Sequence, residues 1–328
     1  MKKYDIFGIE SGCLDLNVCI DEMPELNRGT RVSDLSWQGG GPVSSGMVAA
    51  ARLGAKCTLS GTVGSDNYGK MQYNDFVRHG INVSNFLIRE GKTTSLDVVV
   101  AEKKSMTRTF LFHSGDAEML TADEVDWELL KQSKLLFISG WRGLALEAAK
   151  VARENGIEVL IDCGGFFDGI YEVIPLIDYF IASEFCFYGM FPGAKEKGLE
   201  NLEEECRKVR EMGPKAVLFT FGERGLVGLD DDGFFTLPAF KVDVIDTVGA
   251  GDIFHGAFAA MVTMGKSVRD CALYSSATSA IKCTRIGGRA GIPTMDVLEK
   301  FIKTGEIDYS EIDKRVEFYR KGNENLVY

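Results

Sequence analysis

The sequence predicts an α/β fold, with a mostly parallel sheet covered by helices on both faces. Two observations predict it. Short runs rich in β-branched and aromatic residues alternate with longer runs of helical spacing. The helical runs stop at glycines, Gly54, Gly80, Gly156, Gly213 and Gly265, as helix C-termini do. Strands alternating with helices pair in parallel through crossovers, and ligands then bind beyond the carboxyl ends of the strands.

In chain order, strands are expected at 4–9, 57–63, 135–139, 158–161, 179–182 and 216–221. Each is short and bounded by Gly, Asp or Ser. Helices are expected at 42–53, 70–79, 145–155, 202–212 and 253–264, the first opened by Pro42, which suits an initial turn. Two stretches break the alternation. Residues 14–21 with 31–37 read as extended, and 93–101 with 107–113 read as a hairpin around Glu102-Lys103-Lys104-Ser105. They either extend the main sheet or form a small separate one. A separate sheet over a ligand crevice would be a lid that excludes water. The charged tail 308–328 is either a packed helix or a frayed end.

At 328 residues, with 45% apolar and 26% charged side chains, the chain can bury a sizeable core and has an ordinary soluble balance. A net charge of −11 argues against nucleic acid or an anionic membrane as main partner. A local cradle can still hold a small anion against that field. Asp5 and Glu10 interrupt the first apolar stretch, so no secretory leader is expected. No apolar run reaches the roughly 18 residues a bilayer span needs. Eight scattered cysteines without a Cys-x-x-Cys pair point to reduced thiols and a cytoplasmic location. Three histidines leave little for a His-built zinc centre.

The most informative stretch is Asp246-Thr247-Val248-Gly249-Ala250-Gly251-Asp252, which opens directly into the apolar run 253–264. Unpaired N–H groups at a helix start favour phosphate. An anion cradle beside one carboxylate is what phosphoryl transfer requires: the Asp takes the proton and the amides hold the charge. Alone, the same residues read better as a helix cap; the rest of the chain turns that reading. A second cluster, Gly39-Gly40-Gly41-Pro42-Val43-Ser44-Ser45, brings bare backbone and hydroxyls to a strand-to-helix turn, as a sugar site needs. Asp15 could accept from vicinal hydroxyls. Thr220-Phe221-Gly222-Glu223-Arg224-Gly225 is either a plain turn or a loop under a nucleotide. The last cluster, 282–293, is Gly-rich with Arg285 and Arg289, and could close a nucleotide pocket or hold a cation through carbonyls.

In order along the chain, these clusters resemble the ribokinase-like (PfkB) family of sugar kinases over about residues 4–298. The strongest elements are 246–252 with the following helix, and 39–54 continuing to Gly64-Ser65-Asp66-Asn67-Tyr68-Gly69. The resemblance implies a three-layer α/β/α sandwich with a mostly parallel central sheet and a small β-sheet lid. It implies one kinase domain over 1–328 with lid segments at approximately 13–37 and 93–113. It further implies ATP with Mg²⁺ as phosphoryl donor and a primary sugar alcohol as acceptor.

By position, Asp252 would be the base, with the Gly249, Ala250 and Gly251 amides as anion hole. Asp15, Gly40, Gly41 and Ser45 would line the sugar site. Ser183, Thr220, Gly222, Gly225 and Ser276 would lie along the nucleotide. Many members bind K⁺ between the Asp246–Val248 carbonyl region and the late Gly-rich loop, which makes Asp246 and Val248 its expected ligands. Arg108, in the second lid hairpin strand, and Arg142 are candidates for an anionic substrate end; a solvated lid arginine is the alternative for Arg108. Exposed lid edges could pair two copies into a homodimer.

Three departures stand out. Ser45 occupies a position where the family often has a sugar-contacting Asn. Ser183-Glu184-Phe185-Cys186 replaces the family's N-x-x-E, which leaves Glu184 as the substitute support for Mg²⁺. Gly291 stands where some members offer the monovalent cation a hydroxyl. One branch looks similar beyond the core motifs: residues 238–244, 282–293 and 39–55 resemble bacterial sulfofructose kinase and its relatives. The lid and the Gly140-Trp141-Arg142-Gly143 loop, which should read the substrate, do not share that likeness.

Three rival readings stay open. A nucleoside kinase of the same fold would need an aromatic slot, for which Trp37, Phe112 and Trp141 are available. A non-catalytic binding protein would explain the altered 183–186 motif but not Asp252. A dinucleotide-dependent dehydrogenase needs G-x-G-x-x-G after the first strand, and Gly8-Ile9-Glu10-Ser11-Gly12 does not supply it.

Overall fold

The computed structural model describes residues 2–105, 107–140 and 143–322. Strands and helices alternate. The chain begins with β1 (Tyr4–Ile9), β2 (Cys13–Ile20), β3 (Val32–Gly40), α1 (Pro42–Arg52), β4 (Cys57–Gly64), α2 (Asn67–Arg78) and β5 (Asn82–Arg89). Next come β6 (Ser95–Glu102), β7 (Thr107–His113), α3 (Trp127–Lys131), β8 (Ser133–Ile138), α4 (Gly143–Glu154) and β9 (Glu158–Cys163). After these lie α5 (Ile170–Val173), β10 (Tyr179–Ser183), α6 (Glu184–Met190), α7 (Glu203–Arg210), β11 (Ala216–Thr220), β12 (Leu226–Asp230) and β13 (Gly233–Leu237). Four helices close the chain: α8 (Ala250–Thr263), α9 (Val268–Lys282), α10 (Met295–Thr304) and α11 (Ser310–Lys321).

The large sheet runs β13-β12-β11-β10-β9-β8-β1-β4-β5. It is parallel except where the β12–β13 hairpin joins it antiparallel at β11. Apolar clusters cover both faces. One packs α1, α2, α8 and α9 side chains such as Met47, Phe76, Phe258 and Ile281. The other packs α3, α4, α6 and α7 side chains such as Leu130, Ala149, Phe187 and Val209. This is the expected three-layer sandwich. Strand order reverses at β1, flanked by β8 and β4, so a crevice opens at their carboxyl ends.

The four segments that broke the alternation form a separate sheet, β3-β2-β6-β7, in which β2 pairs parallel with β6 and the other pairs are antiparallel. Cross-strand register sets its two faces. Asp15 lies beside Gln38 and Asp97, and Asp97 beside Phe112, all on the inner face. Leu16, Val18, Leu35, Val98 and Leu111 share the outer face.

Two glycines bring the ligand-facing ends of α1 and α8 together. A Cβ on Gly256 would overlap the Gly46 backbone, and one on Gly46 would lie 2.9 Å from the Asp252 carbonyl oxygen. Only side-chain-free crossings allow so close an approach. Of the tail, residues 308–322 are packed, with 323–328 outside the described residues: Tyr319 Oη donates to Asp75 Oδ1 at 2.8 Å, and Arg315 donates to the Ala290 carbonyl at 3.0 Å.

Candidate active site

The start of α8 is built around Gly249, whose φ of 71° lies in the left-handed region. Side-chain-bearing residues rarely adopt it, and a Cβ there would also press within 3.0 Å of Gly288. The turn leaves amides open. The N–H groups of Gly249 and Gly251 have no acceptor among the described residues, whereas the Ala250 N–H turns back to the Thr247 carbonyl at 3.2 Å. The expected three-amide hole is therefore two open amides plus a braced one.

Asp252 sits in the first turn of this helix. Burial, then the Asp162 charge, push its carboxyl up to about 6, against the pull of His255, Lys282 and Arg108. Asp162, at the end of β9, is itself pushed up to about 7 by burial. His255 Nδ1 lies 3.2 Å from Asp162 Oδ2 and 2.6 Å from the Gly251 carbonyl, with Nε2 3.2 Å from the Ile181 carbonyl. Its ring is a held strut below the base, in line with the packed role a helix histidine ordinarily has.

The sugar-side residues converge at the ends of β1, β2 and β3. A Cβ on Gly40 would overlap the Asp15 carboxylate, so glycine alone lets β3 pass there. Burial, then the neighbouring Asp97, push Asp15 up to about 7. Gly41 caps α1. Sequence reasoning passed over Glu10, which anchors this turn: its Oε2 accepts from the Ser44 N–H at 2.7 Å and its Oε1 from Ser139 Oγ at 3.3 Å. Burial pushes Glu10 up to about 7. A cavity of about 360 Å³ opens beside it, lined by Glu10, Ser11, Gly61, Ser139 and Gly140.

Ser45 lies beneath this turn rather than at its surface. Its Oγ accepts from Arg289 Nε at 3.4 Å. Arg289, fully buried, donates Nη2 to the Gly40 carbonyl at 3.0 Å and Nη1 to Asp75 Oδ2 at 2.7 Å. The late Gly-rich loop is thus a strut under the Gly39–Ser45 turn. Asn17 was also missed. It is 1% exposed, and neither its amide oxygen nor its nitrogen has a partner. It shares the inner lid face with Asp15, one step toward Cys19 and the 244–247 segment. A buried, unpaired amide is costly and demands an explanation. No sequence motif marks it; only the alternation of β2 after Asp15 does.

Arg108 donates Nη1 to Thr247 Oγ1 at 2.7 Å, which ties the lid to the loop that leads into α8. Arg142 and Trp141 lie outside the described residues. Trp37 stands on the outer lid face and stacks on Tyr68 at 6.2 Å, away from the face that carries Asp15.

On the other side of Asp252, Ser183 and Thr220 are register partners on β10 and β11. The Ser183 hydroxyl caps α6, accepting from the Phe185 N–H at 3.2 Å and donating to the Gly164 carbonyl at 2.7 Å. Gly222 and Gly225 bound the turn after β11. Glu184 is paired with Arg224 of that turn at 2.6 Å, and the Arg224 guanidinium lies over the Phe221 ring. Ser276 lies on α9, which packs on α8.

The expected K⁺ position does not fit a free ion. The carbonyls of Asp246 and Val248 both accept from the Lys282 ammonium, that of Asp246 at 3.0 Å. An ammonium already sits where the ion would have to bind. Gly291 has no room for a hydroxyl-bearing side chain, since a Cβ would overlap the Lys282 carbonyl.

The pattern described as "pfkB family carbohydrate kinase" matches residues 13–295. The bifunctional ribokinase/ribose-5-phosphate isomerase A of Fructilactobacillus sanfranciscensis is 26% identical over 84% of this chain, which spans 52% of that longer protein. The 5-dehydro-2-deoxygluconokinase of Clostridium perfringens is 25% identical over 96% of this chain and 97% of its own length. The ribokinase of Arabidopsis thaliana, solved with ribose and ATP, superposes with a TM-score of 0.78 at 20% identity, over 92% of this chain and 99% of its own. Among the described residues no helix is long and apolar enough to cross a membrane.

Proposed function

The chain belongs to the pfkB family of carbohydrate kinases, phosphotransferases with an alcohol acceptor, and we propose that it moves the γ-phosphoryl group of ATP to a primary hydroxyl of a ketose or furanose-like sugar. One observation carries the reading: a carboxylate raised to about 6 beside two open amides, joined by the Gly46–Gly256 crossing to a pocket of buried carboxylates. Asp252 takes the proton of the acceptor hydroxyl, whose oxygen then attacks the γ-phosphorus in line as the bond to ADP breaks. The Gly249 and Gly251 N–H groups take up charge on the phosphoryl oxygens. ATP lies along Ser183, Thr220 and the Gly222–Gly225 turn, with Ser276 on its far side.

Hard oxygen donors suit Mg²⁺, and the Asp162 carboxylate, whose charge Asp252 feels, supplies one while Asp252 is left free as the base. Bound Mg²⁺ would offset charge on the phosphate chain. Glu184 fits that duty less well, because Arg224 already pairs with it.

The described acceptors, Glu10, Asp15, Asn17 and Asp97, suit hydroxyls rather than an anionic group. A neutral polyol is accordingly the leading acceptor, and sulfofructose or another anionic sugar is the narrower alternative. A nucleoside acceptor is favoured by one feature. Phe110 and Phe112 stack at 5.8 Å on the inner lid face, where a nucleobase could lie. A homodimer through the outer lid face completes the proposal.

The test is ADP release with ATP and Mg²⁺ across ketoses, aldopentoses, sulfofructose, sugar acids and nucleosides, beside Asp252→Asn. A substrate lost in the variant supports the reading and names the acceptor class. Failure to bind ATP at all would sink it.

A further inference from the structure

We propose that the buried ammonium of Lys282 is the resident cation of the phosphoryl-transfer loop, attached to the chain in place of an exchangeable monovalent ion. Lys282 is the last residue of α9 and is fully buried. Its Nζ donates to the carbonyls of Asp246 and Val248, which flank Thr247 and immediately precede Gly249. Among the described residues no carboxylate oxygen lies within ion-pair distance of it. A buried ammonium without a carboxylate is costly unless dipoles are aimed at it. Here two peptide carbonyls are, much as carbonyl rings replace the water shell of a free ion.

The same loop is held from the other side. Asp246 accepts from the Val248 N–H at 2.9 Å and from the Gly287 N–H at 2.7 Å. Peptides 246–248 are therefore pinned between a lysine on their carbonyls and a carboxylate on their amides. Next along the chain come the left-handed Gly249 and the open amides of α8. Lys282 acts through that loop as a positioning residue, and its charge adds to the field that the arriving phosphates meet. Because the charge is covalently fixed, it is present in any salt.

The inference leans on the kinase reading only for its effect on rate. ADP release by the wild type is measured in potassium, sodium and choline chloride at matched ionic strength, beside Lys282→Ala and Lys282→Met. The wild type is expected to be indistinguishable in the three salts. K282A should lose roughly 10²-fold in kcat with little change in sugar KM. Potassium or ammonium, but not choline, should restore part of that rate. K282M fills the same space without the charge, so it should lose kcat as K282A does and regain little of it from potassium. Thermal melts need no substrate and read the ion site separately: K282A should be stabilised by KCl over choline chloride, and the wild type should not. Saturable activation of the wild type by K⁺ would overturn the inference, as would a K282A enzyme with full kcat in choline. Should both variants fail to fold, the wild-type salt series decides alone.

Discussion

Asp252 is held by influences that oppose one another. Burial and then the Asp162 charge on β9 push its pKa up, while His255, Lys282 and Arg108 pull it down. The base must be ionised, so kcat/KM is expected to rise with pH through about 6 and fall away on the acid side. Asp252→Asn should cost about 10²–10⁴-fold in kcat while ATP binding, read by calorimetry, persists. Asn17 makes a second prediction of a different kind. If its unpaired amide is kept for a substrate hydroxyl, Asn17→Leu should stabilise the fold by up to about 1–3 kcal/mol and raise the sugar KM roughly tenfold. A lower melting temperature with an unchanged KM would show that the amide serves the fold instead. Asp252 was legible in the sequence because turn, helix and carboxylate are contiguous. Asn17, Glu10 and Asp97 were not, because what marks them is the absence or identity of a partner far along the chain.

At the level of elements, the site exists because α1 and α8 cross where both are glycine. Gly256→Ala places a methyl into the Gly46 backbone. The helices must then separate, at a cost of about 1–3 kcal/mol. The Gly41–Ser45 turn would draw away from Asp252. Melting temperature should drop and kcat should fall, with the ATP KM little changed; an unaltered kcat would mean that this crossing does not set the distance between acceptor and base. The sequence disclosed both helices through their glycine-rich openings, but not their crossing, since Gly256 reads simply as a small residue in an apolar helix. It also did not disclose α9, whose Ser275, Ser276, Thr278 and Ser279 blur any apolar stripe. The β12–β13 hairpin was hidden for another reason: antiparallel edge strands leave no helical spacer to announce them. The lid segments were visible as interruptions. Their register, which sets Asp15, Asn17 and Asp97 on one face, was not, because it follows from pairing between residues as distant in the chain as Asp15 and Asp97.

Across the whole molecule the lid has an unbalanced pair of faces. Its inner face is buried and polar at Asp15, Asn17 and Gln38. Its outer face carries Leu16, Val18, Leu35, Val98 and Leu111, with Leu35 41% and Leu111 58% exposed. A small sheet packed on one side only is marginal by itself. A second copy on that face would bury matching leucines twice over, because a two-fold interface uses each residue in both partners. Light scattering is therefore expected to give twice the monomer mass. Leu111→Glu loses the burial of one leucine per copy and adds two charges, enough to weaken the dimer by at least about 10²-fold. The effect should reach catalysis in one direction only. The strands that would meet a partner outside carry the proposed sugar acceptors inside, whereas the Gly222–Gly225 turn follows β11 of the large sheet. L111E should accordingly raise the sugar KM and leave the ATP KM alone. A wild type that is monomeric at assay concentration removes the dimer, and a dimer whose disruption moves both constants equally would mean that the lid is braced by its Arg108–Thr247 contact rather than by a second copy.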